Sequence, residues 1–304
     1  MLGNGARRWI NTRLRLAYPF ALACIASAAM VHCRGVPYPQ YVSEIGGDLG
    51  PSDSDLATVE ADGGIEDPYE ADAGIEGMNA QCTPDCTDGF VCVLGKCLND
   101  CTGTVVFPDE NLETTVRAAI GKTKGEISYK DLVDITLLQA TIDGVEDLTG
   151  LECMTSVQEL DLSTNRISDI RPLSVLQRLE TIVMTLNYVV DIGPLYHLDG
   201  LKVLGLGSND ITDISGIENL ERLEKLFLPE NSIEDISPLA GLVELKMLTL
   251  NGNEISDLAP LASNPGIGDG DEIMVTDNPI DCDEQSEEIR EIRLKGAKLL
   301  VDCP

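Results

Sequence analysis

Apolar residues recur with a fixed beat over residues 157–266. Five stretches, starting at Val157, Leu179, Leu201, Leu223 and Leu245, repeat one pattern every 22 residues. The third reads LKVLGLGSNDITDISGIENLER and the fifth LKMLTLNGNEISDLAPLASNPG. Each has an apolar residue at positions one, four and six, Asn at nine, and apolar residues at eleven and fourteen. Positions four and six share one face of a short strand, because side chains alternate with period two. One repeat cannot bury that face alone, so neighbours must stack and pair their strands in parallel.

The other positions complete the rung. Asn165, Asn187, Asn209, Asn231 and Asn253 stand at the bend, where a buried amide can bond backbone groups that the turn leaves unpaired. Ile167, Val189, Ile211, Ile233 and Ile255 return to the core, followed by Ile170, Ile192, Ile214, Ile236 and Leu258. Pro172, Pro194, Pro238 and Pro260, with Gly216 in that place once, suit the start of a helical turn. The convex side is therefore expected to be 3₁₀ or turn. Asp169, Asp191, Asp213, Asp235 and Asp257 form a column before those turns, and Asp147 continues it. A calcium ladder competes with helix capping for this column. Capping is preferred, because calcium takes six to eight oxygens and the column offers one carboxylate per rung, in reach of free N–H groups. The L-x-x-L-x-L-x-x-N spacing is that of a leucine-rich repeat, an α/β repeat solenoid.

Both ends of such a stack need caps. FPDENLETTVRAAIGK puts Leu112, Val116, Ala119 and Ile120 on one helical face, with Asp109 as N-cap and Gly121 as stop. SYKD at 128–131 reads as a capping-box variant opening a second short helix. Ile135, Leu138 and Ala140 give a degenerate first rung with Asp143 in the Asn slot. A last rung at Ile273, Val275 and Asn278 is offset by three residues around GIGDGD. EQSEEIREIRLKG then reads as a helix with acids first and bases last, ended by Gly296, before a final strand in AKLLVDC.

Residues 102–304 resemble bacterial internalin-type leucine-rich repeat proteins. The resemblance is carried by the N-x-I-x-D-I-x-P-L repeats, the cap FPDENLETTVRAAIGK and the closing NPIDC…DC. It implies recognition of a protein ligand through the concave sheet, without naming the ligand. It also implies that Cys282 and Cys303, which flank the C-terminal cap, close it as a disulfide. The second repeat departs by having Met184 for Leu.

The first hundred residues differ in character. Met1–Arg15 holds four arginines and no acid, and Leu16–Val31 is an uncharged run of 16 residues. This reads as an export leader, too short for a comfortable membrane span. Ala26-Ser27-Ala28 offers a cleavage site, while Cys33 in AMVHC, or Cys24 in ALAC, offers a lipid-attachment cysteine. Residues 43–80 carry eleven acids among small residues and no base, the composition of a disordered, solvated tether. Five cysteines follow in CTPDCTDGFVCVLGKCLNDC, separated by three, five, four and three residues. They read as a small disulfide module; zinc would want paired C-x₂-C spacing or histidines. The expected layout is leader 1–33, tether 34–81, cysteine module 82–101, helical cap 102–134, repeats 135–281 and C-terminal cap 282–304.

Charge and cysteine count narrow the partners. The chain has 304 residues and a formal charge of −31, which argues against nucleic acid and anionic lipid surfaces. Membrane contact is then expected only through an N-terminal lipid. Ten cysteines behind a leader imply an oxidising compartment. Eight lie beyond residue 33, an even set that can close fully; acylation of Cys33 would remove the odd thiol left by cleavage at Ala28. Cys101 is expected to pair with Cys153, tying the module to the first rungs.

Catalysis finds little support. His197 is the one histidine beyond the leader, and it falls on the convex side. No nucleophile–base order, metal cluster or phosphate loop is legible, and no cofactor is expected. The binding reading rests on positions three, five and seven, which point outward. They include Val183, Val203, Phe227 and Met247, apolar where solvent is expected, with Leu186 and Tyr188 extending the group. Phe227 is the expected centre. Lys225, Glu159 and Asp161 are the expected polar rim, and Gly205 and Gly207 should leave a shallow dip. The chain is expected to be a monomer, and a structural envelope or spacer lipoprotein without a specific ligand is the competing reading.

Overall fold

A computed structural model describes residues 90–93 and 96–303. Every described residue lies in one compact unit. The leader, the tether, Cys24, Cys33, Cys82, Cys86 and Gly95 lie outside the described residues.

Among these residues an antiparallel hairpin comes first, β1 (Phe90–Val93) with β2 (Lys96–Asn99). Two helices follow, α1 (Glu110–Ala119) and α2 (Tyr129–Leu132). Eight short strands then form one parallel sheet in sequence order. They are β3 (Leu137–Gln139), β4 (Glu159–Asp161), β5 (Thr181–Val183), β6 (Val203–Gly205), β7 (Lys225–Phe227), β8 (Met247–Thr249), β9 (Glu272–Met274) and β10 (Lys298–Leu300). Helices α3 (Ala259–Ser263) and α4 (Ser286–Leu294) close the C-terminal end. The architecture is the expected leucine-rich repeat solenoid.

Each rung folds as its pattern dictates. Positions one, four, six, eleven and fourteen are buried in every one of the five repeats, from Val157 to Leu258. Met184 fills a position-six site with no exposure, as an unbranched, adaptable side chain can. The Asn column is a hydrogen-bond ladder. Asn209 Nδ2 donates to Met184 O at 3.0 Å and Leu206 O at 2.9 Å, and its Oδ1 accepts from Val189 N at 2.9 Å. Asn187 Nδ2 also donates to Met184 O, at 3.0 Å, so each position-six carbonyl is shared by two rungs. The residue before each Asn, and before Asp143 on the first rung, takes the left-handed conformation. Ile142, Thr164, Leu186, Ser208, Glu230 and Asp277 have φ between 55° and 64°, and Gly252 has 70°.

The convex side is made of 3₁₀ turns at residues 171–173, 193–195, 217–219 and 237–241, and of α3. Pro stands at the first or second position in four of the five. Gly216 does more than replace Pro: it precedes the turn with φ 101°. A Cβ there would stand 2.3 Å from Tyr196 Cε2. The Asp column bonds the backbone that leads into these turns and into the one at residues 151–153. Asp147, Asp169, Asp191, Asp213, Asp235 and Asp257 each accept from the backbone N–H two residues on.

At the N-terminal cap, Asp109 accepts from Asn111 N and Leu112 N, and Leu112 and Val116 are buried. Ala119 is exposed instead, while Ile120 beyond it packs against the core. Ser128 N and Oγ both donate to Asp131. Lys122 Nζ reaches the same oxygen at 2.8 Å, and Lys122 and Ser128 together hold the Asp131 carboxyl well below the ordinary range. Asp143 does not play the Asn role. It is exposed and accepts from Thr115 Oγ1, since a carboxylate has no N–H to give the rung carbonyls.

The hairpin is bolted to this cap. Leu98 and Asn99 are buried. The buried Glu152 carboxylate accepts from Asn99 N at 2.6 Å, Asn99 Nδ2 at 2.8 Å and Gly150 N at 2.6 Å. A buried charge is tolerated when its lone pairs are met in this way. Beside it, a disulfide joins Cys101 to Cys153, and Cys97 is disulfide-bonded as well.

At the far end, β9 keeps register with β8 despite the three extra residues, with Ile273 opposite Leu248. Asn264 absorbs the insertion by donating to Leu239 O and Leu242 O. Gly296 ends α4 with φ 96°, and a disulfide joins Cys282 to Cys303.

Candidate protein-binding face

Strand register decides which outward side chains meet. Val203, Lys225 and Met247 are successive partners across β6, β7 and β8. Val183, Gly205, Phe227 and Thr249 form the next row. Positions three and five of a strand point to the same side, so Phe227 lies beside Lys225 on the face away from Leu226 and Leu228, both fully buried. Val183, Val203, Lys225, Phe227 and Met247 are all half-buried. The structure therefore gathers these five predicted residues into one patch over four rungs. It places Lys225 inside the patch, between Val203 and Met247, rather than on its rim.

Leu186 is half-buried at the left-handed turn, and Tyr188 is 43% exposed just beyond it. They flank the patch at the lip of the sheet. Val190, 54% exposed, lies two residues past Tyr188. Leu137 and Ile142, both about half exposed, lie on the first rung. Sequence reasoning passed over these three. The signal was present: Val190 holds position twelve, where the other repeats have Ser168, Thr212, Glu234 and Ser256.

The glycines do not leave an open dip. Gly205 and Gly207 are buried. A Cβ on Gly205 would stand 3.3 Å from Val183 Cγ1, and one on Gly207 would stand 2.8 Å from Pro229 Cγ. Neighbouring side chains close the space that the glycines vacate, so the patch is shallow.

Charges border it in rows. Lys202 pairs with Glu180 at 2.7 Å, Lys246 with Glu224 at 2.8 Å and Lys298 with Glu272 at 2.8 Å. The bond from Lys246 draws the Glu224 carboxyl below its ordinary pKa. Burial, with Asp277 near, pushes Glu230 up. Glu159 is exposed at the N-terminal side, and Asp161 is half-buried and accepts from Ser163 N. On the convex side, burial and the carboxylates of Asp213, Asp191 and Glu218 push the Tyr196 phenol up to about 12. His197 is exposed there. Among the described residues no group of three or more His, Cys, Asp or Glu could hold a metal ion, and no helix is long and apolar enough to cross a membrane.

Residues 221–263 match the family of leucine-rich repeats in two copies. Curated protein sequences give no significant match. Among solved structures, the chain is similar to an internalin (InlF) from Listeria monocytogenes, at 27% identity and a TM-score of 0.59. That match covers 64% of this chain and 56% of the other, so the chain spans little more than half of that structure. It is also similar to internalin C2 (InlC2) from Listeria monocytogenes, at 28% identity and a TM-score of 0.51, covering 66% of this chain and 98% of the other. With its stacked 22-residue rungs between two caps, this chain has a leucine-rich repeat fold similar to that of the internalins.

Proposed function

We propose that the chain is a non-enzymatic, extracytoplasmic scaffold that binds a protein ligand on the concave sheet. The observation that carries this reading is the patch of half-buried Val203, Phe227 and Met247, on adjacent strands of a face that the core does not use. Contiguous apolar residues on a surface favour a contact site, and an aromatic anchor within them tends to dominate binding energy. Val183, Leu186 and Tyr188 extend the site toward the N-terminal rungs. The disulfides suit an oxidising compartment. A leader ending at Cys33, acylated there, with the acidic stretch as tether, would hold the scaffold at the cell envelope.

Phe227→Ala tests the site. The full-length protein and the variant are compared by circular dichroism and by affinity for ligands captured on the native chain. The variant should fold normally and lose about 2 kcal/mol of binding, roughly thirtyfold. An unfolded variant would refute the outward placement of residue 227. A folded variant with unchanged affinity for every captured ligand would place the site elsewhere.

A further inference from the structure

Of the four lysines on or beside the sheet, Lys202, Lys246 and Lys298 are each ion-paired across rungs. Lys225 makes no ion pair with any described residue. It is half-buried, with Val203 and Met247 as its register partners and Phe227 two residues on. Its neighbour Glu224 is engaged by Lys246. Lys225 feels the Glu224 charge but does not bond it, and a carboxylate brought to an ammonium half-buried among apolar groups is attracted more strongly than at an open surface. Toward the N-terminal side, Glu159 is exposed and likewise makes no ion pair with any described residue, and Asp161 stands beside it. Three rungs separate β4 from β7, about 14 Å at about 4.8 Å per rung.

We infer that the ligand segment taken by this face carries a carboxylate flanked by an apolar side chain, and a basic residue about 14 Å away. The carboxylate meets Lys225, its apolar neighbour packs on Phe227 and Met247, and the base meets Glu159 and Asp161. In an extended segment that distance is about four residues at about 3.3 Å each, which puts acid and base on the same side. This rests on the concave-face reading and adds the chemistry and polarity of the partner.

The test is selection of a random phage-displayed peptide library on the full-length protein, followed by titration of the best synthetic peptide. Selected sequences should pair an acid beside an apolar residue with a base about four positions away. Replacing the peptide acid by its amide, or making Lys225→Met, should each weaken binding about tenfold, and the two together little more than either alone. Lys225→Glu should weaken it further, and a peptide with Lys in place of the acid should recover affinity for that variant. Peptides that depend on Phe227 but ignore Lys225 would overturn this inference and leave the proposed function standing. Peptides indifferent to both Phe227→Ala and Lys225→Glu would overturn both.

Discussion

Asn209→Ala offers the sharpest test of what holds the rungs together. A simple count would leave Val189 N, Met184 O and Leu206 O all orphaned in the core. The ladder geometry says otherwise. Met184 O keeps its bond from Asn187, and Leu206 O keeps one from Asn231 at 3.0 Å. Only Val189 N loses its sole side-chain partner. One buried orphan costs about 1–3 kcal/mol, and each lost bond to a still-bonded carbonyl about 0.5–1.5 kcal/mol. The expected loss is about 4 kcal/mol, a large part of the 5–15 kcal/mol typical of a domain. Urea unfolding of the oxidised protein followed by circular dichroism reads it as a lowered midpoint. The shared carbonyl makes a second demand. Asn187→Ala with Asn209→Ala removes both side-chain donors to Met184 O, so the pair should cost about 1–2 kcal/mol more than the sum of the singles. A single-variant loss below about 1 kcal/mol, or strict additivity of the pair, would refute the account.

Three other expectations follow from the same structure. Replacing Cys282 and Cys303 by Ser should lower stability by roughly 3 kcal/mol for a loop of this length, and unfolding with and without reductant would show no change if the closure is energetically idle. Thr164→Gly should be neutral or stabilising, because a β-branched residue at φ 60° carries strain of about 1–3 kcal/mol that exceeds the entropy cost of glycine; a clear drop in the unfolding midpoint would contradict this. Asp131 has a folded pKa below its unfolded one, so its contribution is present above the ordinary carboxylate range and is lost as pH falls below about 4. Asp131→Asn should flatten stability in that window, and an unaltered acid limb would rule it out.

The rungs were legible because their chemistry is local and repeated. Leu201, Leu204, Leu206 and Asn209 state the same spacing as their counterparts one turn of the solenoid away, and the Asp column repeats the capping cue five times. The misses share a physical cause. Asp143 matched a spacing, but its side chain lacks the donor that the spacing requires. Ala119 matched a helical face, but it is Ile120 beyond it that packs against the core. Gly205 and Gly207 looked vacant because a missing side chain says nothing about how far Val183 and Pro229 reach. Glu152 was hidden among the acids of a chain with a net charge of −31. Its burial depends on Asn99, 53 residues earlier, and no local pattern announces that meeting. In the candidate site, the apolar patch followed from alternation alone. The unpaired state of Lys225 did not, since it depends on which acids its neighbours capture.

The Cys101–Cys153 and Cys282–Cys303 cystines also set the mechanics of the molecule. A pull along the chain from its N-terminal side reaches Cys101 and crosses directly to Cys153. Residues 102–152 form a closed loop that carries no tension. The same holds at the other end, where tension passes from Cys282 to Cys303 and spares α4 and β10. Between Cys101 and Cys303, only the rungs between residues 153 and 282 lie in the line of load. Traction on a bound ligand would therefore be borne by the parallel sheet and its Asn ladder, while the residues inside both closed loops are not extended until a sulfur–sulfur bond is cut. Reduction would lengthen the extensible segment at both ends, a change that single-molecule stretching would record as added contour length.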